Sequence, residues 1–103
     1  MSPVDALLFA KALADETRQQ IMSLCCCKWL SVNEIVDKTN VTQPTVSHHL
    51  AVLREAGLVR MDERGKQTFY TLNQDRIVLC CGQLMLKFAP EQKATATVER
   101  ILA

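Results

Sequence analysis

Two groups of side chains in this 103-residue sequence have types and spacing that suit chemistry: a histidine pair, His48–His49, and two cysteine runs, Cys25–Cys27 and Cys80–Cys81. Imidazoles and thiolates bind soft metal ions, and both take part in acid–base and nucleophilic catalysis. The histidines lie in the segment TQPTVSHHLAVLREAGLVR, residues 42–60, which otherwise has the pattern of a helix. The histidine pair could bind a metal, transfer a proton, pack in a core or contact a nucleic-acid groove.

Helical periodicity separates the two histidines. At about 100° per residue, Val46, Leu50 and Leu53 share one face, which we expect to pack inward. The opposite face carries small or hydrogen-bonding side chains, as a helix that enters the major groove does: Pro44, Ser47, His48 and Ala51, with Thr45 and Val52 beside them. His49 turns partly back toward the apolar face.

Adjacent histidines on a helix diverge too far to chelate one ion easily. No nucleophile or orienting carboxylate accompanies them, which disfavours general-base catalysis. The alternative without a DNA role is an exposed His48 beside a structural, hydrogen-bonded His49. We favour a nucleic-acid groove, contacted mainly through His48.

Composition predicts one mainly helical domain, residues 1–103. Apolar residues make up 49% of the chain, which has only three glycines and three prolines. So large an apolar share in a small domain predicts burial against a second subunit. The net charge of +1 does not indicate a nucleic-acid partner by itself.

The first 14 residues do not have the pattern of a signal peptide, and no run reaches membrane-spanning length. We therefore expect a cytoplasmic protein without membrane contact, whose five cysteines are reduced.

Local signals predict the order of the elements. Four helix starts are indicated by Ser2-Pro3, by Asp15, by the capping box of Ser31 with Glu34, and by Thr42. The second helix should run to about Cys27, and Asn40 and Gly57 should end the third and fourth.

After Gly57 the pattern changes to two short strand-like runs, LVRMD and QTFYTL, around the turn ERGK. Asn73 then caps an apolar helix with Ile77, Cys81, Leu84 and Phe88 on one stripe, and Pro90 separates it from a last short helix. The predicted fold is mainly α with a small β wing: a winged helix-turn-helix of order α-α-α-α-β-β-α(-α), with the recognition helix at 42–56 and the wing at 58–72.

Three segments, ALADETRQQIMSL, TQPTVSHHLAVLREAGLV and ERGKQTFYTL, resemble the ArsR/SmtB family of winged-helix repressors from about Leu8 to Leu72. The resemblance implies a homodimeric transcription repressor that leaves a palindromic operator in double-stranded DNA when it binds a toxic metal, a metalloid or a thiol-reactive signal. It implies no enzymatic activity. Residues 1–14 and 73–103 would contain the dimerisation helices.

The resemblance also assigns DNA contacts. It implies that Gln43, Thr45, Ser47 and His48 lie in the major groove, and that Arg64 and Lys66 reach phosphates or the minor groove. Thr42, at the start of the recognition helix, and Arg54, near its end, complete the predicted DNA surface.

The cysteines depart from the family pattern. The family's Cys-x-Cys metal box at the start of the third helix corresponds here to Ser31 and Asn33, and Asp75 is the lone match to the ligands known on the fifth helix. We expect Cys25 and Cys81 on the apolar faces of their helices and Cys26 pointing away.

The leading prediction for Cys25, Cys26, Cys27, Cys80 and Cys81 is a sensor site that joins the two runs within one subunit. Three thiolates would suit As(III), four would suit Zn or Cd, and Hg is a further candidate. The alternative is a redox or reactive-sulfur sensor that forms a disulfide or persulfide. Packing of cysteine as a small apolar residue also remains open, and no organic cofactor is expected.

Overall fold

The computed structural model describes residues 6–102. The elements follow in the order α1 (Ala6–Leu13), α2 (Glu16–Leu24), β1 (Leu30–Ser31), α3 (Val32–Thr39), α4 (Gln43–Glu55), β2 (Val59–Arg64), β3 (Gln67–Leu72), α5 (Gln74–Phe88) and α6 (Lys93–Leu102). This order confirms the mainly helical winged helix-turn-helix. The predicted start of the first helix at Ser2-Pro3 lies outside the described residues.

The helix ends follow the local signals. Asp15 accepts the backbone N–H of Arg18 at 2.9 Å and caps α2. Ser31 and Glu34 form the predicted capping box of α3, with both hydrogen bonds present. Asn40 takes the left-handed conformation at φ 57°, and Gly57 follows α4 with φ 74°. Short-range chemistry thus fixes the helix-turn-helix frame.

The wing is part of a three-stranded antiparallel sheet in the order β1-β3-β2. Gly65, at φ 63°, makes the tight turn between β2 and β3. The strand β1 was not predicted, because its two residues are too few to show an alternating pattern. It pairs Leu30 with Tyr70 and Ser31 with Phe69, which fastens the residues before α3 to the inner strand of the wing.

The predicted extension of α2 to Cys27 is wrong, because the helix ends at Leu24. Residues 25–29, here called the cysteine loop, turn toward the sheet instead. The Cys25 carbonyl accepts the Leu72 backbone N–H at 2.9 Å, and the Cys26 carbonyl accepts Gln74 Nε2. These partners come from β3 and α5, so they satisfy carbonyl groups that a longer helix would have bonded internally.

A single apolar core joins the first four helices to the base of the sheet. Its buried members are Phe9, Ala12, Ile21, Met22, Cys25, Leu30, Ile35, Val46, Leu50, Leu53, Ala56, Leu58, Val59 and Cys80. The three apolar positions predicted for the back of α4 are all in this core. The core therefore sets the rotation of the recognition helix about its axis.

Cys81, which was predicted on the apolar face of α5, does not lie in the core of its own subunit. Cys80 is buried, with 1% of its surface exposed, whereas Cys81 is exposed. On the stripe that contains Cys81, Phe88 is 73% exposed. Periodicity finds an apolar stripe but does not say what covers it. Here Ile77 and Leu84 pack against the core, whereas Cys81 and Phe88 are exposed in the single chain. In the part of the chain that the structure describes, no helix is both long and apolar enough to cross a bilayer.

Candidate DNA interface and cysteine loop

The front of α4 is open to solvent. Ser47 and His48 are exposed, whereas Val46 and Leu53 on the back are completely buried. All eight residues predicted to contact DNA are exposed in the structure: Thr42, Gln43, Thr45, Ser47, His48, Arg54, Arg64 and Lys66. The predicted division of the helix into an apolar back and a polar front is therefore confirmed, and the front has room for a partner.

The start of α4 differs in detail from the prediction. Thr42 is the N-cap residue by position, but its side chain makes no capping hydrogen bond to the backbone. Its hydroxyl donates instead to Thr45 Oγ1 at 2.9 Å. The two threonines therefore form one hydrogen-bonded unit on the exposed first turn of the helix, at the end that enters the groove in helix-turn-helix proteins.

His49 has a structural role. Its side chain turns into the subunit and is 9% exposed as a residue, and its Nδ1 lies 3.1 Å from an Arg18 guanidinium nitrogen. Because a guanidinium only donates, Nδ1 must be the acceptor and Nε2 carries the proton. That nitrogen lies 4.0 Å from Asp15 Oδ1. The pair does not act as a unit, since the two imidazole rings are tilted by 54° with their centroids 5.7 Å apart.

The same contacts link α2 to α4 electrostatically. The Arg18 backbone N–H, which donates to Asp15, lowers the pKa of that carboxyl; desolvation opposes the shift, and the charge of Arg18 adds to it. Arg18 Nε also donates to the Ala12 carbonyl at 2.7 Å. Sequence analysis did not identify Arg18, although its place one turn after a capping aspartate was a usable signal.

The wing tip approaches the start of the recognition helix. Lys66 is exposed and lines a groove of about 180 Å³ together with Gln43 and Asn33. A basic wing residue and a predicted major-groove residue thus border one surface, which also includes the capped start of α3. Phosphate oxygens are suited to such a mixture of ammonium and polar groups.

The side chain of Arg64, which was predicted to reach phosphates or the minor groove, is held by contacts within the subunit. Its Nε donates to Asp62 Oδ2 at 2.8 Å, and its guanidinium lies 5.5 Å from the Trp29 ring centroid and 4.9 Å from that of Phe69. The side chain nevertheless remains about half exposed, at 52%. Sequence analysis did not include Trp29, because a lone aromatic residue next to a cysteine run carries no motif.

The three cysteines of the cysteine loop occupy different environments. Cys25 is completely buried, and burial raises the pKa of its thiol to about 11. Cys26 and Cys27 lie toward solvent with their sulfurs 3.0 Å apart. The hydrogen bond with Cys26 raises the pKa of the Cys27 thiol. The pair, in which Cys26 is half-buried and Cys27 exposed, borders a groove of about 340 Å³ walled by Leu72, Ile77 and Val78, among other residues.

One cysteine of each run, Cys25 and Cys80, lies in the buried core, but the described residues do not assemble the predicted site of three or four thiolates. Among residues 6–102 there is no group of three or more His, Cys, Asp or Glu side chains placed to hold a metal ion. Cys80 faces the core and Cys81 the surface, so α5 cannot present both thiols in one direction. The thiol pair Cys26–Cys27 suits a ligand that takes two sulfurs, and it does not by itself complete a three- or four-thiolate site.

Comparison with known proteins identifies the family. Residues 15–61 match the model of the bacterial regulatory proteins of the arsR family. The biofilm growth-associated repressor of Agrobacterium fabrum is 35% identical over 89 residues, which cover 85% of this chain and 76% of that protein. The chain belongs to the arsR family. It is thus a DNA-binding transcriptional regulator of the helix-turn-helix type and not an enzyme.

Other relatives agree. The arsenical resistance operon repressor of Bacillus subtilis is 35% identical over 78 residues, covering 69% of this chain and 74% of that protein. The structure of reduced HlyU from Vibrio cholerae superposes with a TM-score of 0.66 at 32% identity, covering 82% of this chain and 87% of that one. This chain therefore shares the winged-helix fold of its arsR-family relatives.

We predict that replacing Ser47 or His48 with alanine relaxes base selectivity. Each good base contact is worth about 1–3 kcal/mol of discrimination against the wrong base. The measurement is competition between a duplex recovered by selection from a random library and single-base variants of it. Glu55→Ala, an exposed change at the last residue of α4, is the matched control. Wild-type selectivity in both variants would remove these side chains from the groove.

For the wing, we expect Lys66→Ala to weaken binding to every duplex by a similar factor. Loss of one phosphate contact should also lower the slope of log affinity against log salt by about 1. Lys93→Ala removes a cation at the start of α6, a helix that packs on α5, and should leave the slope unchanged. A Lys66→Ala slope equal to that of wild type would place the wing tip outside the interface.

Proposed function

We propose that this chain represses transcription and leaves its operator when the Cys26–Cys27 thiol pair binds a soft, thiol-seeking ligand. The observation that carries the proposal is the 3.0 Å separation of two solvent-facing sulfurs on the cysteine loop. Cys25 contributes packing rather than binding, because a buried thiol with a pKa of about 11 is almost fully protonated near pH 7.

The ligand class follows from the donors. Thiolates prefer soft acceptors such as trivalent arsenic, cadmium, mercury and zinc. Two sulfurs leave the third position of trivalent arsenic to a group from outside the chain, and the apolar wall of Leu72 and Val78 favours a carbon substituent there. Related proteins are named for arsenical resistance and for cadmium resistance, the latter 29% identical over 94% of this chain. These names support soft ions as inducers.

Thiol oxidation is the second candidate, and the same short distance supports it. Cys26 and Cys27 would give up two protons and two electrons to form a disulfide. Peroxide would be reduced to water in that step, or a persulfide donor to a thiol and hydrogen sulfide. The solved relative from Vibrio cholerae is described as the reduced form of that protein, which supports testing both signals.

The backbone provides a route from the thiol pair to the wing. The carbonyls of Cys25 and Lys28 both accept hydrogen bonds from the Thr71 hydroxyl on β3, at 3.2 and 2.9 Å. A ligand that bonds both sulfurs changes the conformation of this loop and so acts on β3. To induce, it must bind the DNA-incompetent conformation more tightly than the competent one.

A homodimer belongs to the same proposal. An apolar groove of about 430 Å³ lies between α1 and α5, lined in part by Leu7, Leu84 and Phe88. Leu7 is 65% exposed and Phe88 73% exposed in the single chain. A second copy related by a two-fold axis would cover these side chains and set two recognition helices about one helical turn apart on a palindromic operator.

We expect Phe88→Glu to weaken dimerisation at least tenfold, because the new carboxylate would lose its hydration in an apolar interface. Sedimentation velocity measures the oligomeric state. Gln92→Glu adds the same charge at an exposed position beyond the end of α5 and should have no effect. A Phe88→Glu variant that stays dimeric at wild-type concentrations would exclude this groove from the interface.

The inducer prediction is tested by the double variant Cys26→Ser, Cys27→Ser. It should bind operator DNA as the wild type does but resist release by arsenite, cadmium and phenylarsine oxide, a probe that takes two thiols. A fluorescence anisotropy titration of reduced protein on labelled duplex measures release. A phosphine reductant should restore binding after peroxide treatment but not after arsenical treatment, which separates the two candidates.

Cys81→Ser is the matched control, since it removes an exposed thiol on α5 outside the pair. It should be released normally. Normal release of the double variant would contradict the proposal, and loss of release in Cys81→Ser would return the sensor to a site shared with α5.

A further inference from the structure

Trp29 lies where the cysteine loop meets the sheet, and it is the only tryptophan in the sequence. It follows Cys27 by two residues and directly precedes β1. It is 38% exposed and so is one of the large hydrophobic residues that the core does not cover. The guanidinium of Arg64, which the wing supplies, lies over the Trp29 ring.

The register of the sheet explains how Arg64 reaches this ring. Asp62 and Arg64 lie two residues apart on β2 and so point to the same face. Phe69 on β3 is the direct partner of Asp62, and β1 pairs with β3 on its other side. The Arg64 side chain therefore crosses β3 above Phe69 and ends beside Trp29. We call Trp29, Arg64 and Phe69 the arginine stack.

We propose that Trp29 is a positioning residue for DNA binding, which holds the Arg64 guanidinium in the arginine stack and links it to the cysteine loop. The first half of this proposal concerns the unmodified protein, and the link to the loop rests on the proposed function.

Guanidinium groups stack on aromatic faces because the ring carries negative charge on its face and the planar cation is weakly hydrated. The ion pair with Asp62 at 2.8 Å fixes the Nε edge, and the two rings restrict the plane. The remaining N–H groups stay at the half-exposed surface of the wing. A cation held in this way loses less conformational freedom on meeting a phosphate than a free arginine does.

The cysteine loop and the stack share a backbone segment. The Lys28 carbonyl, between Cys27 and Trp29, accepts the Thr71 hydroxyl at 2.9 Å. The Trp29 ring is thus attached one residue beyond a fixed point and two residues beyond the reactive pair. A ligand that bonds the sulfurs of Cys26 and Cys27 has to rearrange this segment, and the Trp29 ring moves with it. Arg64 then loses one of its two aromatic contacts.

A double-mutant cycle on the unmodified protein tests the positioning role. Trp29→Leu should weaken operator binding roughly two- to fivefold, the value of an exposed cation–π contact, and Trp29→Phe should restore most of the loss. Arg64→Gln should lower the salt slope by about 1. In the Arg64→Gln background, Trp29→Leu should have little further effect. Equal losses in both backgrounds would show that Trp29 acts independently of Arg64 and would overturn the proposal.

Unfolding midpoints in urea show whether a variant destabilises the fold. A merely structural role of Trp29 would lower this midpoint and would not act through the salt slope. Phe69→Leu provides a second variant, which removes the other aromatic contact of the guanidinium. It should likewise lose affinity only when Arg64 is present. If Trp29→Leu and Phe69→Leu both weaken DNA binding equally with and without Arg64, the arginine stack is not part of the DNA interface.

Tryptophan fluorescence tests the link to the loop, since the emission comes from Trp29 alone. Phenylarsine oxide should change the emission of the wild type and leave that of the Cys26→Ser, Cys27→Ser variant unchanged. Release of DNA without an emission change would overturn the link while the proposed function stands. If phenylarsine oxide causes no release, the proposed function fails, whereas the cycle on unmodified protein still decides the positioning role.

Discussion

The recognition surface depends on the burial of one side of α4. Val46, Leu50 and Leu53 fill the core between the other helices and the sheet, and each fully buried side chain of this size stabilises the fold by about 1.5–3 kcal/mol. Arg18 adds a directional constraint, because its hydrogen bond to His49 fixes the rotation of α4 against α2. Once these contacts are made, the side chains of Ser47 and His48 must point away from the core. The two neighbouring histidines therefore point in different directions, His48 to solvent and His49 into the subunit, for a single geometric reason.

A second constraint connects the cysteine loop to the wing. The cysteine loop ends α2 early because its carbonyl groups bond to β3 and to the start of α5 rather than to a further helical turn. The cysteine loop is therefore attached to β3, the inner strand of the wing. In the proposed function, chemistry at Cys26 and Cys27 would act on Lys66 and Arg64 through β3 of the same subunit, in addition to any change between the two subunits of a dimer. In the further proposal, the Arg64 side chain of the arginine stack lies at the end of this route from the cysteine loop.

The parts of the structure that local chemistry determines were predictable from sequence. Capping residues such as Asp15 and Ser31, the turn glycine Gly65, and the phase of α4 all follow from interactions within a few residues. The errors share another cause. The end of α2, the two-residue strand β1, and the burial of Cys80 rather than Cys81 depend on which distant element packs alongside. Periodicity says that a face is apolar, but tertiary packing decides what covers it.

The two histidines allow the most direct test of this geometry, because they are the only imidazoles in the chain. Protein labelled with ¹⁵N in its histidine rings can be titrated with a selected operator duplex and followed by NMR. We expect the ring signals of His48 to shift on binding, whereas His49 keeps its signal positions and its Nε2-protonated tautomer. Shifts confined to His49, or unchanged signals from both rings in a complex that forms, would contradict this geometry.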